Sequence, residues 1–405
     1  MRINEIINIP SVMGYMAGVY DDWTGNVISG ETTRSLDPEA IHVIRTIHAS
    51  THPKTVSDME SLDDQAFLTA VGLFKRGSVT NAAALLLGKQ SEKLVPPSVC
   101  IRWRLLDVDG RQVDSRVFHG PMILGVRSVS SMIRNPSVRI VQGGVSKQVS
   151  SYRVASLNEA LLNAIQHQDY ESGGTVDVVE VDGESVTISN RGRFPDVDPE
   201  RYALGTTHLR GSSNPFLRKA LNNIGAVPSN LSGIRGLYLS QIFRHHPLPV
   251  YRLEDDRVSV TFKGIRSGDL VRLMDIRDDL DVPTILSLNK ISQGRYLSDR
   301  SVSELMDLGL VVVDDGVPHI RLDQNSSFDH GSDRDAVMGL VRSNGSVSRS
   351  DVMNLLRSRD RKGLDDNRLS VKATNLLQSL RREGLLRKTD GSTKSARYES
   401  VESEE

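Results

Sequence analysis

The chain has 405 residues, 38% of them hydrophobic and 25% charged, with 50 Lys or Arg against 51 Asp or Glu. A net charge of -1 excludes a globally basic nucleic-acid binder, so any phosphate-facing patch must be local, and 5% aromatics argue against a stacking platform for single strands. The single cysteine, Cys100, excludes an intramolecular disulfide and a thiolate zinc cluster.

At about 150 residues per domain the length predicts roughly two to four domains. The N-terminus carries no basic stretch leading into a clean apolar core and cleavage site. No run reaches the ~18 apolar residues of a membrane span. The expectation is a cytoplasmic α+β protein.

Residues 1–65 read as a mixed N-terminal segment. "DPEAIHVIRTI" begins with Asp37-Pro38, a cap followed by proline at the first helical position, and "STHPKTVSDMESLDDQ" reads as a linker. Residues 66–150 predict a small α/β region. Its parts are a helix at "DQAFLTAVGLF", an apolar run at "AAALLLG", an alternating strand at "SVCIRWRLLDV", a turn at Asp109-Gly110, a second strand and the helix "MILGVRSVSSMI".

Residues 151–262 predict a layered domain with a largely antiparallel sheet. A helix at Ser156–Gln168 precedes two strands joined at Asp182-Gly183. Further helices follow at "NPFLRKALNNIG" and near Gly236, then the hairpin "PVYRLEDDRVSVTFKG". Asn214-Pro215 reads as a structural cap and first-turn proline. Residues 263–325 predict a short winged helix used for packing or dimerisation, because its wing holds aspartates and few cations.

Residues 332–398 read as a winged helix. Helix one runs through "DAVMGLVRSN", Ser348 caps helix two, helix three runs through "SVKATNLLQSLRREG", and "LLRKTDGSTKSARYES" forms the wing. From Arg334 to Arg397 there are fifteen Lys or Arg against seven Asp or Glu, the local excess that a phosphate-facing module needs. Arg368 and Lys372, near the start of helix three, would enter the major groove of double-stranded DNA; Lys388, Lys394 and Arg397 would meet phosphates from the wing. A winged helix used for protein contacts is the competing reading. Residues 399–405 form an acidic tail that could screen the basic face.

One helical stretch, "EALLNAIQHQDY", sets Glu159, Asn163 and His167 four residues apart, away from an apolar stripe of Leu161, Leu162 and Ile165. Taken alone this is equally the solvated face of an amphipathic helix, with His167 serving the helix dipole and Asp169 a local turn. It resembles, however, the N-box of the GHKL ATP-binding fold shared by gyrase, MutL, heat-shock chaperones and histidine kinases. That resemblance implies a GHKL-like α/β sandwich, with Asn163 binding the Mg²⁺ of ATP and Glu159 acting as general base where hydrolysis occurs. "SLNEALLNAIQHQDY", "VTISNRGRFP", "SSNPFLRKALNNIGAV" and "SGIRG", in that order, are similar to bacterial ATP-binding transcriptional regulators that join an AlbA/Schlafen-like domain to a divergent GHKL domain and winged helices.

The resemblance further implies nucleotide contacts from His167, Asn190 and Gly192, and from Gly233 and Gly236 near the phosphates. Two departures stand out. The adenine box reads Asn190-Arg191-Gly192-Arg193-Phe194, so an amide replaces the usual Asp, its NH₂ needs another partner, and the second glycine is missing. The chain ahead of residue 60 is also too short for a complete AlbA-like domain. The expectation is an ATP·Mg²⁺-binding, DNA-binding homo-oligomer; a slow DNA-stimulated ATPase in a DNA transaction or phage defence, and a nucleotide-free scaffold, are the alternatives.

Overall fold

The computed structural model describes residues 22–91, 93–142, 145–194, 198–205, 213–227, 233–277, 279–322, 333–359, 366–383, 385–389 and 396–401. The chain divides into two compact units, Met1–Leu322 and Asp323–Glu405.

In the first unit, α1 (Pro38–Thr51) starts as its sequence predicts: the Asp37 carboxylate accepts from the N–H groups of Glu39 and Ala40, and Pro38 occupies the first turn. The expected linker is folded instead. It holds a 3-10 turn (Pro53–Thr55), α2 (Val56–Glu60) and the start of α3 (Asp64–Ala70). Arg45 is the reason: its guanidinium donates to the carbonyls of Met59 and Leu62 and to Asp64, which ties the segment onto α1. A small hairpin, β1 (Phe74–Lys75) with β2 (Ser78–Val79), leads into α4 (Asn81–Leu87), whose Ala82–Leu87 are all buried.

Then come β3 (Cys100–Leu106), β4 (Gln112–Phe118), α5 (Met122–Met132), the hairpin β5 (Ser137–Gln142) and β6 (Val145–Ser150), α6 (Val154–His167), β7 (Thr175–Val181) and β8 (Ser185–Arg191). They are followed by α7 (Pro199–Ala203), α8 (Pro215–Ile224), α9 (Ile234–Ile242), β9 (Val250–Leu253) and β10 (Arg257–Lys263). The main sheet has the order β4-β3-β7-β8-β10-β9, antiparallel throughout except for the parallel pair β3–β7.

Alternation sends Ile101, Trp103, Leu105, Val176, Val178, Val186, Ile188, Val260 and Phe262 to one face, where they join one core with residues of α1 and α3–α6. Glu180 is buried in that core and fully engaged: Trp103 Nε1 donates to it at 3.0 Å and the Arg134 N–H at 2.8 Å. The boundary expected at 150 therefore separates nothing, because β3 and β4 belong to the same sheet as β7 and β8.

A second core joins α7 and α9 to α10 (Asp269–Ile276), α11 (Val282–Ser292), α12 (Asp299–Asp307) and the hairpin β11 (Val311–Asp314) with β12 (Val317–Ile320). Tyr202, Ile234 and Tyr238 pack with Leu273, Ile285, Leu288 and Leu305. Beside it, buried Glu200 meets Arg295 at 3.0 Å, Lys290 at 3.6 Å and Asn289 at 2.9 Å. The boundary expected at 262 is thus also bridged, since α7 and α9 complete the core of the segment that follows.

The second unit has α13 (Asp333–Asn344), β13 (Ser346–Ser348), α14 (Arg349–Arg359), α15 (Asp366–Arg382), β14 (Leu386–Lys388) and β15 (Arg397–Ser400), with sheet order β13-β15-β14. Val337, Val341, Val352, Leu356, Leu369, Leu377 and Leu380 form its core. Ser348 caps α14 reciprocally: its Oγ accepts from the Asp351 N–H, and Asp351 accepts from the Ser348 N–H. Of the expected acidic tail, Glu399 instead lies in β15 and pairs with Arg387 at 2.6 Å, and residues 402–405 lie outside the described residues. Among the described residues, no helix is long and apolar enough to cross a membrane.

Candidate functional site

Helix α6 packs Leu157, Leu161 and Ile165 into the core and leaves Glu159, Asn163 and His167 half-buried along one stripe. That stripe borders a cleft open to solvent. Asn163 and His167 line it from α6, Asn190 from β8, Arg193 and Phe194 just beyond β8, Gly233 and Ile234 from the start of α9, and Tyr251 from β9. Four residues singled out from the sequence therefore share one wall-to-wall space.

Asn190 is buried, and its amide nitrogen donates to the Arg191 carbonyl at 2.9 Å. This supplies the partner that an amide in place of a carboxylate requires, and it leaves Oδ1 as the acceptor for the cleft. Gly192 lines up behind it with φ +147°, and a Cβ there would stand 2.6 Å from the His167 carbonyl oxygen. Only glycine fits this crossing of the β8 exit over the end of α6.

Gly233, with φ +75°, precedes α9 and donates its N–H to the Glu159 carboxylate. Burial pushes the Glu159 carboxyl up to about 7, against the pull of that N–H and of Arg153. Burial, with Arg218 nearby, pushes His167 down to about 4, so the ring is neutral at pH 7. Its Nε2 lies 3.0 Å from Gln166 Nε2, an amide nitrogen that only donates, so the ring accepts there and carries its proton on Nδ1. Glu159 and Gly236 do not line the cleft itself: Glu159 reaches its edge through Gly233, and Gly236 is buried in the first turn of α9.

The aromatic wall was not legible as such. Phe194 meets Tyr202 edge-on at 5.9 Å and Tyr251 at 6.3 Å, and Tyr251 stacks on Tyr238 at 6.2 Å. Burial pushes the Tyr251 hydroxyl up. Its only sequence signal is the alternation of β9, which pairs Tyr251 with cleft-lining Val260. Asp169 is a turn former, accepting from the N–H groups of Glu171 and Ser172. Asn214 makes no side-chain cap; it donates at 2.9 Å to the carbonyls of both Gln166 and Gln168 and so pins α8 to the end of α6. Among the described residues, no three His, Cys, Asp or Glu side chains are grouped to hold a metal.

In the second unit, Arg368 lies in the first turn of α15 and Lys372 one turn on, where its Nζ meets Asp333 at 2.7 Å. Arg397 donates to Ser346 Oγ at 2.8 Å and to the Ser346 carbonyl at 3.0 Å. Lys388 is exposed on β14, and Lys394 lies outside the described residues.

Residues 17–100 match a family described as a domain of unknown function (DUF8451), which covers β1–β2 and the helices around them rather than the cleft. No curated protein matches the chain. The crystal structure of the DIP2311 protein from Corynebacterium diphtheriae aligns with 96% of this chain at 17% identity and a TM-score of 0.48, so the chain spans 66% of that protein's length.

Proposed function

We propose that the first unit binds ATP with Mg²⁺ in the cleft between α6, β8 and α9, and that the second unit is a winged helix that binds double-stranded DNA. The observation that carries the nucleotide reading is the convergence of Asn163, His167, Asn190 and Gly233 on one space. Asn190 Oδ1 accepts from the base amino group, while Phe194, Ile188 and Tyr251 enclose the ring. Asn163 offers a neutral oxygen to Mg²⁺, which commonly takes one or two protein ligands and completes its shell with phosphate oxygens and water. Gly233, whose N–H holds the Glu159 carboxylate, sets the start of the nine-residue helix α9 at the wall of the cleft, where the helix N-terminus favours phosphate.

Glu159 acts as base toward water, and its pKa near 7 suits the task. Hydrolysis is slow, and ATP influences DNA binding by preferring one state of the protein.

Calorimetry with ATP and ADP, with Mg²⁺, on wild type and Asn163→Ala tests the site. Binding that the variant loses is expected; wild-type protein that takes up neither nucleotide overturns the reading. Undiminished turnover in Glu159→Ala would remove the base assignment. For the second unit, Lys388→Ala and Arg368→Ala should weaken retardation of duplex DNA and flatten its salt dependence.

A further inference from the structure

Strand β4 ends the main sheet, and among the described residues no other strand pairs with its outer side. Each residue from Gln112 to Val117 is exposed, with Val113 at 57% and Val117 at 49%. A seven-residue open edge is a template for another strand, and folds usually blunt such edges. Here the sequence across the edge is Val113-Asp114-Ser115-Arg116-Val117, which is symmetric in character about Ser115.

We propose that β4 is a homodimer interface, pairing antiparallel with the same strand of a second copy about a two-fold axis through Ser115. In that register each Asp114 stands opposite an Arg116, and Ser115 opposite itself. The contact is isologous and closes at two copies. Opposite charges facing across an antiparallel pair are favourable, whereas like charges there are not. A shift of two residues in either direction would lose the Asp–Arg matches, so the charges also select the register.

The backbone agrees with this use. The Ser115 N–H donates to Asp114 Oδ1 at 2.7 Å rather than into the ladder with β3, so it points out of the sheet. Pairing transfers that N–H to the Ser115 carbonyl of the second copy and frees Asp114 for Arg116. The register shift opposite Val113, between Leu105 and Leu106, bends one end of the edge and leaves Asp114–Phe118 regular. The two sheets then run on as one.

Sedimentation of the whole chain reads the outcome directly. Wild type is expected at twice 44.7 kDa. Ser115→Pro removes the outward N–H without touching the ladder to β3, and should give the single-chain mass. Asp114→Arg and Arg116→Asp should each be monomeric, yet an equimolar mixture of the two should form a heterodimer. The double variant Asp114→Arg/Arg116→Asp should recover the homodimer. That rescue separates lost pairing from lost folding.

Ser115→Cys gives an independent readout. Directly opposed residues in a hydrogen-bonded pair stand about 5.5 Å apart at Cα, inside the disulfide range of about 4.4–6.8 Å, so mild oxidation should cross-link two chains through this position, Cys100 being buried. A wild type that stays monomeric at its highest soluble concentration would overturn the proposal. So would a dimer that survives Ser115→Pro or fails to cross-link.

Discussion

Replacing Glu159 by Gln should make the first unit more stable, and only above a definite pH. The carboxyl has an ordinary value of 4.5 and is held at about 7 in the fold. An acid whose folded pKa is raised favours the folded state while protonated. Its contribution is intact below pH 4.5 and is lost as pH rises through about 7. At about 1.4 kcal/mol per pH unit that interval sets a ceiling of about 3 kcal/mol. Glu159 is half-buried rather than sealed, so about 2 kcal/mol is expected.

Gln keeps the oxygen that accepts from the Gly233 N–H and cannot ionise. The variant should therefore match wild type at pH 4 and exceed it by about 2 kcal/mol at pH 8. Urea unfolding followed by tryptophan fluorescence measures this cleanly, because Trp23 and Trp103 are the chain's only two tryptophans and both lie in the first unit. Equal stabilities at both pH values would refute the argument that desolvation dominates at Glu159.

Three further outcomes follow from other positions. Gly192→Ala should cost about 3 kcal/mol in the same unfolding assay, since the added methyl meets the His167 carbonyl in a left-handed backbone; a change under about 1 kcal/mol would mean that the β8 exit moves freely. Nitrogen NMR should find His167 neutral from pH 5 upward with its proton on Nδ1, and a ring that titrates near 6.5 would contradict its burial. Arg295→Ala should cost about 2 kcal/mol, because Glu200 stays buried with Lys290 and Asn289 as its remaining partners; adding Glu200→Gln should recover most of the loss, and an unchanged double variant would show the pair to be uncoupled.

What the sequence made legible is whatever is local in it. The four-residue spacing of Glu159, Asn163 and His167 survives folding because a helix preserves it. The Asp37-Pro38 start, the Ser348 cap and the Asp182-Gly183 turn are equally short-range. Gly192 was singled out, although its reason, a backbone oxygen 2.6 Å from a would-be methyl, exists only after two elements cross.

The misreadings share a cause. The boundaries expected at 150 and 262 follow the local order of helices and strands, but strand pairing and core packing join residues far apart in the sequence. Arg102 stands beside Asp177, and Tyr202 packs with residues near 285. The segment near Met59 looked like a linker because what orders it, the Arg45 guanidinium, sits in the preceding helix. Tyr251 was passed over because its place in the cleft depends on register with β10.

The lone parallel pair β3–β7 also sets a timetable. Cys100 pairs with Thr175, so the middle of the sheet cannot close until some 75 further residues are available. During synthesis at about 5–20 residues per second, β3 and β4 wait several seconds as a hairpin with two open sides. Closing so long a loop is slow in refolding too. In that interval Val113 and Val117 are accompanied by the bare flank of β3, and Asp114 with Arg116 supplies the charge that discourages indiscriminate strand capture. Until β7 emerges the nascent chain thus presents two unpaired strand flanks, and a ribosome stalled near residue 150 would hold it in that state.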